Sequence, residues 1–105
     1  MMQGTTPTHT WFVPIGANLI RNARVTYKQK DDIVLTKEGN DFTITSVDSN
    51  RAKISCKLTQ EDTLKLDHEA KVKIQLHLLT TDGNALITHV YTRKVGECLA
   101  GEVLS

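Results

Sequence analysis

The sequence predicts an all-β fold, an immunoglobulin-like antiparallel β-sandwich of about seven strands with one short helix or helical turn between strands five and six. Three observations carry this reading. Apolar and polar residues alternate with a period of two through most of the chain, giving each strand one face for a core and one for water. Clusters of Gly, Asn, Asp and Ser separate the alternating runs, as turns do. The chain has 105 residues, 39% of them hydrophobic, which suffices for one core and not for two.

The clearest run is the hairpin over 70–95, around which the other segments are organised. Val72, Ile74, Leu76 and Leu78 alternate with Lys71, Lys73, Gln75 and His77. The run stops at Thr80-Thr81-Asp82-Gly83-Asn84, where Gly83 suits a positive φ and Asp82 can brace the reversal. Leu86, Thr88, Val90 and Thr92 lead away. A loop over 81–83 sets Leu78 opposite Leu86 and Ile74 opposite Val90, the register that gathers apolar residues on one face.

Taken in order, residues 1–9 are polar, Thr-rich and contain Pro7, and read as a flexible N-terminal arm. Residues 10–105 form the single sandwich domain. A short strand over 10–13 puts Trp11 and Val13 on one face and Phe12 on the other, with Trp11 a core anchor. Residues 16–23 read as a helical turn or loop crossing between sheets. Over 24–29, Val25 and Tyr27 point inward. Lys30-Asp31-Asp32 reverses the chain, 33–37 returns, and Glu38-Gly39-Asn40-Asp41 turns it again. The strand over 42–47 has Phe42 and Ile44 on one face. After Asp48-Ser49-Asn50, the strand over 52–58 turns Ile54, Cys56 and Leu58 inward. The alternation breaks at Thr59-Gln60-Glu61-Asp62, a hydroxyl at an N-cap followed by carboxylates in a first turn. A short helix or helical turn over 59–66 follows, with Leu58, Leu64 and Leu66 toward the core and Glu61, Asp62 and Lys65 toward water. The tail over 96–105 adds an edge strand or covers the core.

Composition points away from several functions. Lys and Arg total 13 against 12 Asp and Glu, a formal net charge of +1, so no basic excess exists for neutralising nucleic-acid phosphates. The outward lysines Lys28, Lys53, Lys57, Lys71 and Lys73 read as charged protection of sheet surfaces. No apolar run reaches the length of a membrane span, and no basic start leads into an apolar signal core, so synthesis and folding in a cytoplasm are expected, which the resemblance given below makes that of a bacterial host. Cys56 and Cys98 form no C-x-x-C unit. Cys56 reads as a buried thiol, with a disulfide to Cys98 as the alternative. His9, His68, His77 and His89 do not converge in the preferred register, though a slip of the hairpin loop sets His77 opposite His89. The glycines are isolated, no serine lies in a nucleophile elbow, and the carboxylates cluster at turns or a helix start. The expectation is therefore no enzyme, no catalytic residue, no metal and no cofactor.

Three stretches carry a resemblance: Gly4-Thr5-Thr6-Pro7-Thr8-His9-Thr10-Trp11, then Leu58-Thr59-Gln60-Glu61-Asp62-Thr63-Leu64-Lys65, then 72–86 with its Thr81-Asp82-Gly83 turn. Together with Val25-Thr26-Tyr27, they resemble small prophage-encoded proteins of gut bacteria that accompany tail and baseplate genes. More distantly, the chain is similar to the N-terminal β-sandwich domain of siphophage upper baseplate proteins. It departs from the family at Gln3, where Arg is usual, at Trp11, where Phe is usual, and at Lys30-Asp31-Asp32, where Asn-Gly is common. The resemblance implies a non-enzymatic virion protein, a tail or baseplate adaptor in a homo-oligomer or symmetric assembly, bound to other phage proteins. Thr6, Pro7, Thr8 and His9 are then the expected partner-binding residues, ordering on a neighbouring subunit as an added strand. The alternative is a prophage-encoded accessory protein or inhibitor of a host protein.

Overall fold

The alternating segments become two antiparallel sheets in the computed structural model, which describes residues 1–88, 90–97 and 99. The smaller sheet holds β1 (Thr8–Val13), β4 (Phe42–Asp48) and β5 (Arg51–Lys57) in the order β1-β5-β4. The larger holds β2 (Ile20–Gln29), β3 (Asp32–Glu38) and β6 (Val72–Thr80) in the order β3-β2-β6. Two short strands, β7 (Ala85–Ile87) and β8 (Tyr91–Arg93), share the far side of β6. Among the described residues the sandwich thus has eight strands, because the last expected strand is broken into two. Its second strand sits in the larger sheet beside β3 and β6, whereas the immunoglobulin constant layout sets that strand beside the first and fifth.

The inward faces are those the period of two marks. Trp11, Val13, Ala52, Ile54 and Cys56 of the smaller sheet meet Val25, Tyr27, Leu35, Ile74, Leu76 and Leu78 of the larger in one buried cluster. Burial pushes the Cys56 thiol up to about 11, so it packs as a small apolar side chain. The alternative pairing with Cys98 lies outside the described residues, as do residues 100–105 of the tail.

Each crossing between the sheets uses a short helical piece. A 3-10 turn, Ala17–Leu19, joins β1 to β2, and another, Gly39–Asp41, joins β3 to β4. Gly16 is fixed by close approach, since a Cβ there would lie 2.7 Å from the Ser49 carbonyl oxygen. The helix α1 (Gln60–Leu64) joins β5 to β6 and is capped reciprocally. The Asp62 N–H donates to Thr59 Oγ1 at 3.1 Å, and the Thr59 N–H donates to the Asp62 carboxylate at 2.9 Å.

One face of that helix differs from expectation. Asp62 is buried rather than turned to water, and its carboxylate accepts from Lys37 Nζ at 2.9 Å. Lys37 lies opposite Val25, on the inward face of β3, so its ammonium enters the seam and requires a counter-charge. The Asp62 hydrogen bond raises the Lys37 pKa against the burial that lowers it. Burial acts to raise Asp62, but the Thr59 N–H and Lys37 outweigh it and hold the carboxyl below its usual range. Thr63 is also fully buried and donates to the Thr5 carbonyl at 2.9 Å.

Residues 1–9, read from sequence as a flexible arm, are laid along their own domain. The Gln3 N–H donates to the Gly96 carbonyl at 2.8 Å, the Gly96 N–H to the Met1 carbonyl at 2.7 Å, and the Leu58 N–H to the Pro7 carbonyl at 2.9 Å. Gln3 Nε2 also donates to the Leu66 carbonyl. Thr8 and His9 already belong to β1, facing Lys57 and Cys56 of β5.

Candidate functional site

The sandwich is open along one side, where β1, an outer strand of the smaller sheet, faces β8 of the larger. The groove between them measures about 470 Å³, and its walls include His9, Trp11, Ile74, Tyr91 and Arg93. That volume is within the range of pockets that hold a small ligand or a few residues of a peptide. The outward backbone edge of β1 has no strand partner among the described residues.

A register shift on β6 builds the β8 wall. Leu78 lies opposite Leu86, as the hairpin predicts, and His77 opposite Ile87. Ile74, however, lies opposite Tyr91 and not Val90. One extra residue is accommodated after Ile87, beside Thr88, whose N–H donates to the Leu76 carbonyl at 2.9 Å and whose Oγ1 accepts from the Leu76 N–H at 3.0 Å. A slip of one residue exchanges the two faces of a strand. Tyr91 and Arg93 therefore share the inward face with Ile74 and Val72, with no strand beyond them among the described residues, and Tyr91 remains 39% exposed. The Arg93 guanidinium lies 5.9 Å from the Tyr91 ring centre, in cation–π range.

The β1 wall is aromatic and has one hydrogen-bonded anchor. His9 Nδ1 lies 2.6 Å from the Tyr27 hydroxyl, and its ring meets Trp11 edge-on with centroids 6.3 Å apart. Burial keeps Tyr27 protonated by raising its pKa, so the hydroxyl has a proton that needs an acceptor. Burial, the N-terminal ammonium and Arg93 all lower the His9 pKa, so the imidazole is neutral and Nδ1 can accept. The remaining imidazole proton then resides on Nε2. The groove thus offers apolar and aromatic walls, a neutral imidazole and one cation, which suits an extended segment carrying apolar groups and a carboxylate.

The expected partner-binding residues divide between two places. Thr8 and His9 line the groove. Thr6 lines a separate shallow depression with Lys57, Leu58, Thr59, Gln60 and Glu61. Pro7 connects the two, its carbonyl held by Leu58. Sequence reasoning missed Tyr91 and Arg93, because strict alternation from Leu86 turns Val90 and Thr92 inward. The signal was the doubled apolar pairs Leu86-Ile87 and Val90-Tyr91, which one unbroken period of two cannot accommodate.

Among the described residues, no three His, Cys, Asp or Glu side chains are grouped as a metal ion would require. His77 lies opposite Ile87, and His89 lies outside the described residues. No described helix is long and apolar enough to cross a membrane. No protein-family model and no curated protein matches the chain.

Proposed function

We propose that this chain is a non-enzymatic phage or prophage structural protein, a tail or baseplate adaptor that works by holding other proteins. The observation that carries the reading is the way the first two stretches of the resemblance meet. Thr5 and Pro7 of the first are hydrogen-bonded to Thr63 and Leu58 of the second. The strings therefore define one structural unit, which also sets β1 in place as a wall of the groove. In this role a partner's extended segment adds to the open edge of β1, with its side chains in the groove and a carboxylate toward Arg93. The N-terminal segment contributes by fixing that edge rather than by reaching across to a neighbour.

The test is mass spectrometry of purified particles after induction of a host that carries the gene. Peptides of this chain should be present in fixed ratio to known tail proteins. Their absence from particles, with the protein abundant in the lysate, would overturn the structural role and favour an accessory protein that binds a host protein.

A further inference from the structure

We infer that β4 is a self-pairing edge, through which two copies of this chain join their smaller sheets into one continuous six-stranded sheet. The strand pairs with β5 on one side and with no strand on the other among the described residues. An unpaired edge presents a row of N–H and C=O groups that template another strand. The sandwich's other edges are blunted or committed. β3 carries Asp32, Lys37 and Glu38, β7 and β8 have three residues each, and β1 lies between Pro7 and Pro14 and borders the groove. β4 runs from Phe42 to Val47 with neither charge nor proline and does not border that groove. Ile44 and Val47 are 36% and 46% exposed, so this end of the sheet also carries uncovered apolar surface.

The occupant is a second copy because the strand complements itself. Ile44 lies opposite Ile54 and shares the inward face with Phe42, while Thr43 and Thr45 face out. Antiparallel pairing about a two-fold axis at Ile44 keeps both inward faces on one side. It sets Phe42 against the small Ser46 of the second copy, Ile44 against Ile44, and Thr43 against Thr45, pairs that sheets favour. A slip by one residue would mismatch the faces. Asp48, at the end of the strand, keeps its own partner in each chain, Arg51, at 2.8 Å. Two-fold pairing closes at two copies, whereas β4 against β1 of another copy is a head-to-tail contact that closes only as a ring or else runs on as a filament.

The test is sedimentation equilibrium of the full chain from about 5 to about 500 μM, a range that suits an interface of modest area. A reversible monomer–dimer equilibrium is expected. The doubly substituted Thr43→Lys/Thr45→Lys protein sets lysine against lysine twice across the axis and should dissociate at least about tenfold more readily. Thr45 also lies opposite Lys53 of its own sheet, so a small drop in melting temperature is expected with the fold kept. Thr43→Lys/Thr45→Glu sets opposite charges across the same axis and should retain the dimer. A wild-type monomer throughout the range would overturn the inference. So would a dimer indifferent to both double substitutions, or equal loss of the dimer in both. None of these outcomes bears on whether the protein is found in particles.

Discussion

Burial depresses the His9 pKa, and the N-terminal ammonium and Arg93 push it the same way. This makes the residue a sensor of its own packing. In the unfolded chain the imidazole titrates near its ordinary value of about 6.5. Between that value and the lower folded one, the unfolded state binds more protons, so stability falls as the solution is acidified. Above the ordinary value the contribution of neutral His9 is fully present, and it is lost as pH falls through the folded pKa. Protonation would also remove the acceptor that Tyr27 uses at 2.6 Å. The urea midpoint of the wild type should therefore drop on going from about pH 7.5 to about pH 5.5. His9→Gln keeps an oxygen acceptor for Tyr27 without the titration, and its drop should be distinctly smaller. Equal drops in the two proteins would assign the pH dependence to another group. His9 was legible as an alternating residue near a strand. Its partner was not, because β1 and β2 belong to opposite sheets and no local pattern records which side chains meet across a seam.

Elements with a strong local pattern appear where the sequence sets them. The capping string Thr59-Gln60-Glu61-Asp62 starts a helix, and Gly83 takes φ of 88° in the hairpin turn. Where local pattern is weak, tertiary contacts decide. Asp62 looks like a solvated first-turn carboxylate, yet Lys37 on β3 draws it into the interior at 2.9 Å. The first nine residues have the composition of a free arm, but backbone groups, which composition does not report, fasten them to Gly96 and Leu58. Their attachment yields a prediction. Removing residues 1–7 deletes the bonds at Met1, Gln3, Thr5 and Pro7 and strands the N–H of buried Leu58, at a cost of about 2–4 kcal/mol. The midpoint in urea should fall accordingly, with the far-ultraviolet spectrum still that of a β protein. An unchanged midpoint would mean that the segment contributes nothing to the domain and is available to a neighbour.

At the scale of the whole molecule, the period of two reveals the sandwich because it is a property of every strand separately. The groove is a different kind of feature. Its walls come from opposite ends of the chain, and its β8 wall depends on one extra residue that exchanges the strand's faces. Strand order and bulges are settled by which pairs bury most surface together, so the layers are more legible in the sequence than the opening between them. β6 links both levels, lying between β2 on one side and β7 and β8 on the other. Leu76 lies opposite Val25 at its centre and is fully buried, whereas Lys73 lies on the outer face opposite Lys28. Leu76→Ala leaves a cavity between the sheets and should lower stability by about 2–5 kcal/mol. The urea midpoint should fall while the slope of the transition is kept, the mark of lost stability without a change in the surface exposed on unfolding. Lys73→Glu replaces a like-charged cross-strand pair by an opposite one and should leave stability within about 0.5 kcal/mol of the wild type, or slightly above it. If Lys73→Glu proved the more damaging substitution, the face of β6 turned to the smaller sheet would be the charged one. The seam between the layers, and the groove that opens from it, would then have to be placed on the other side of the strand.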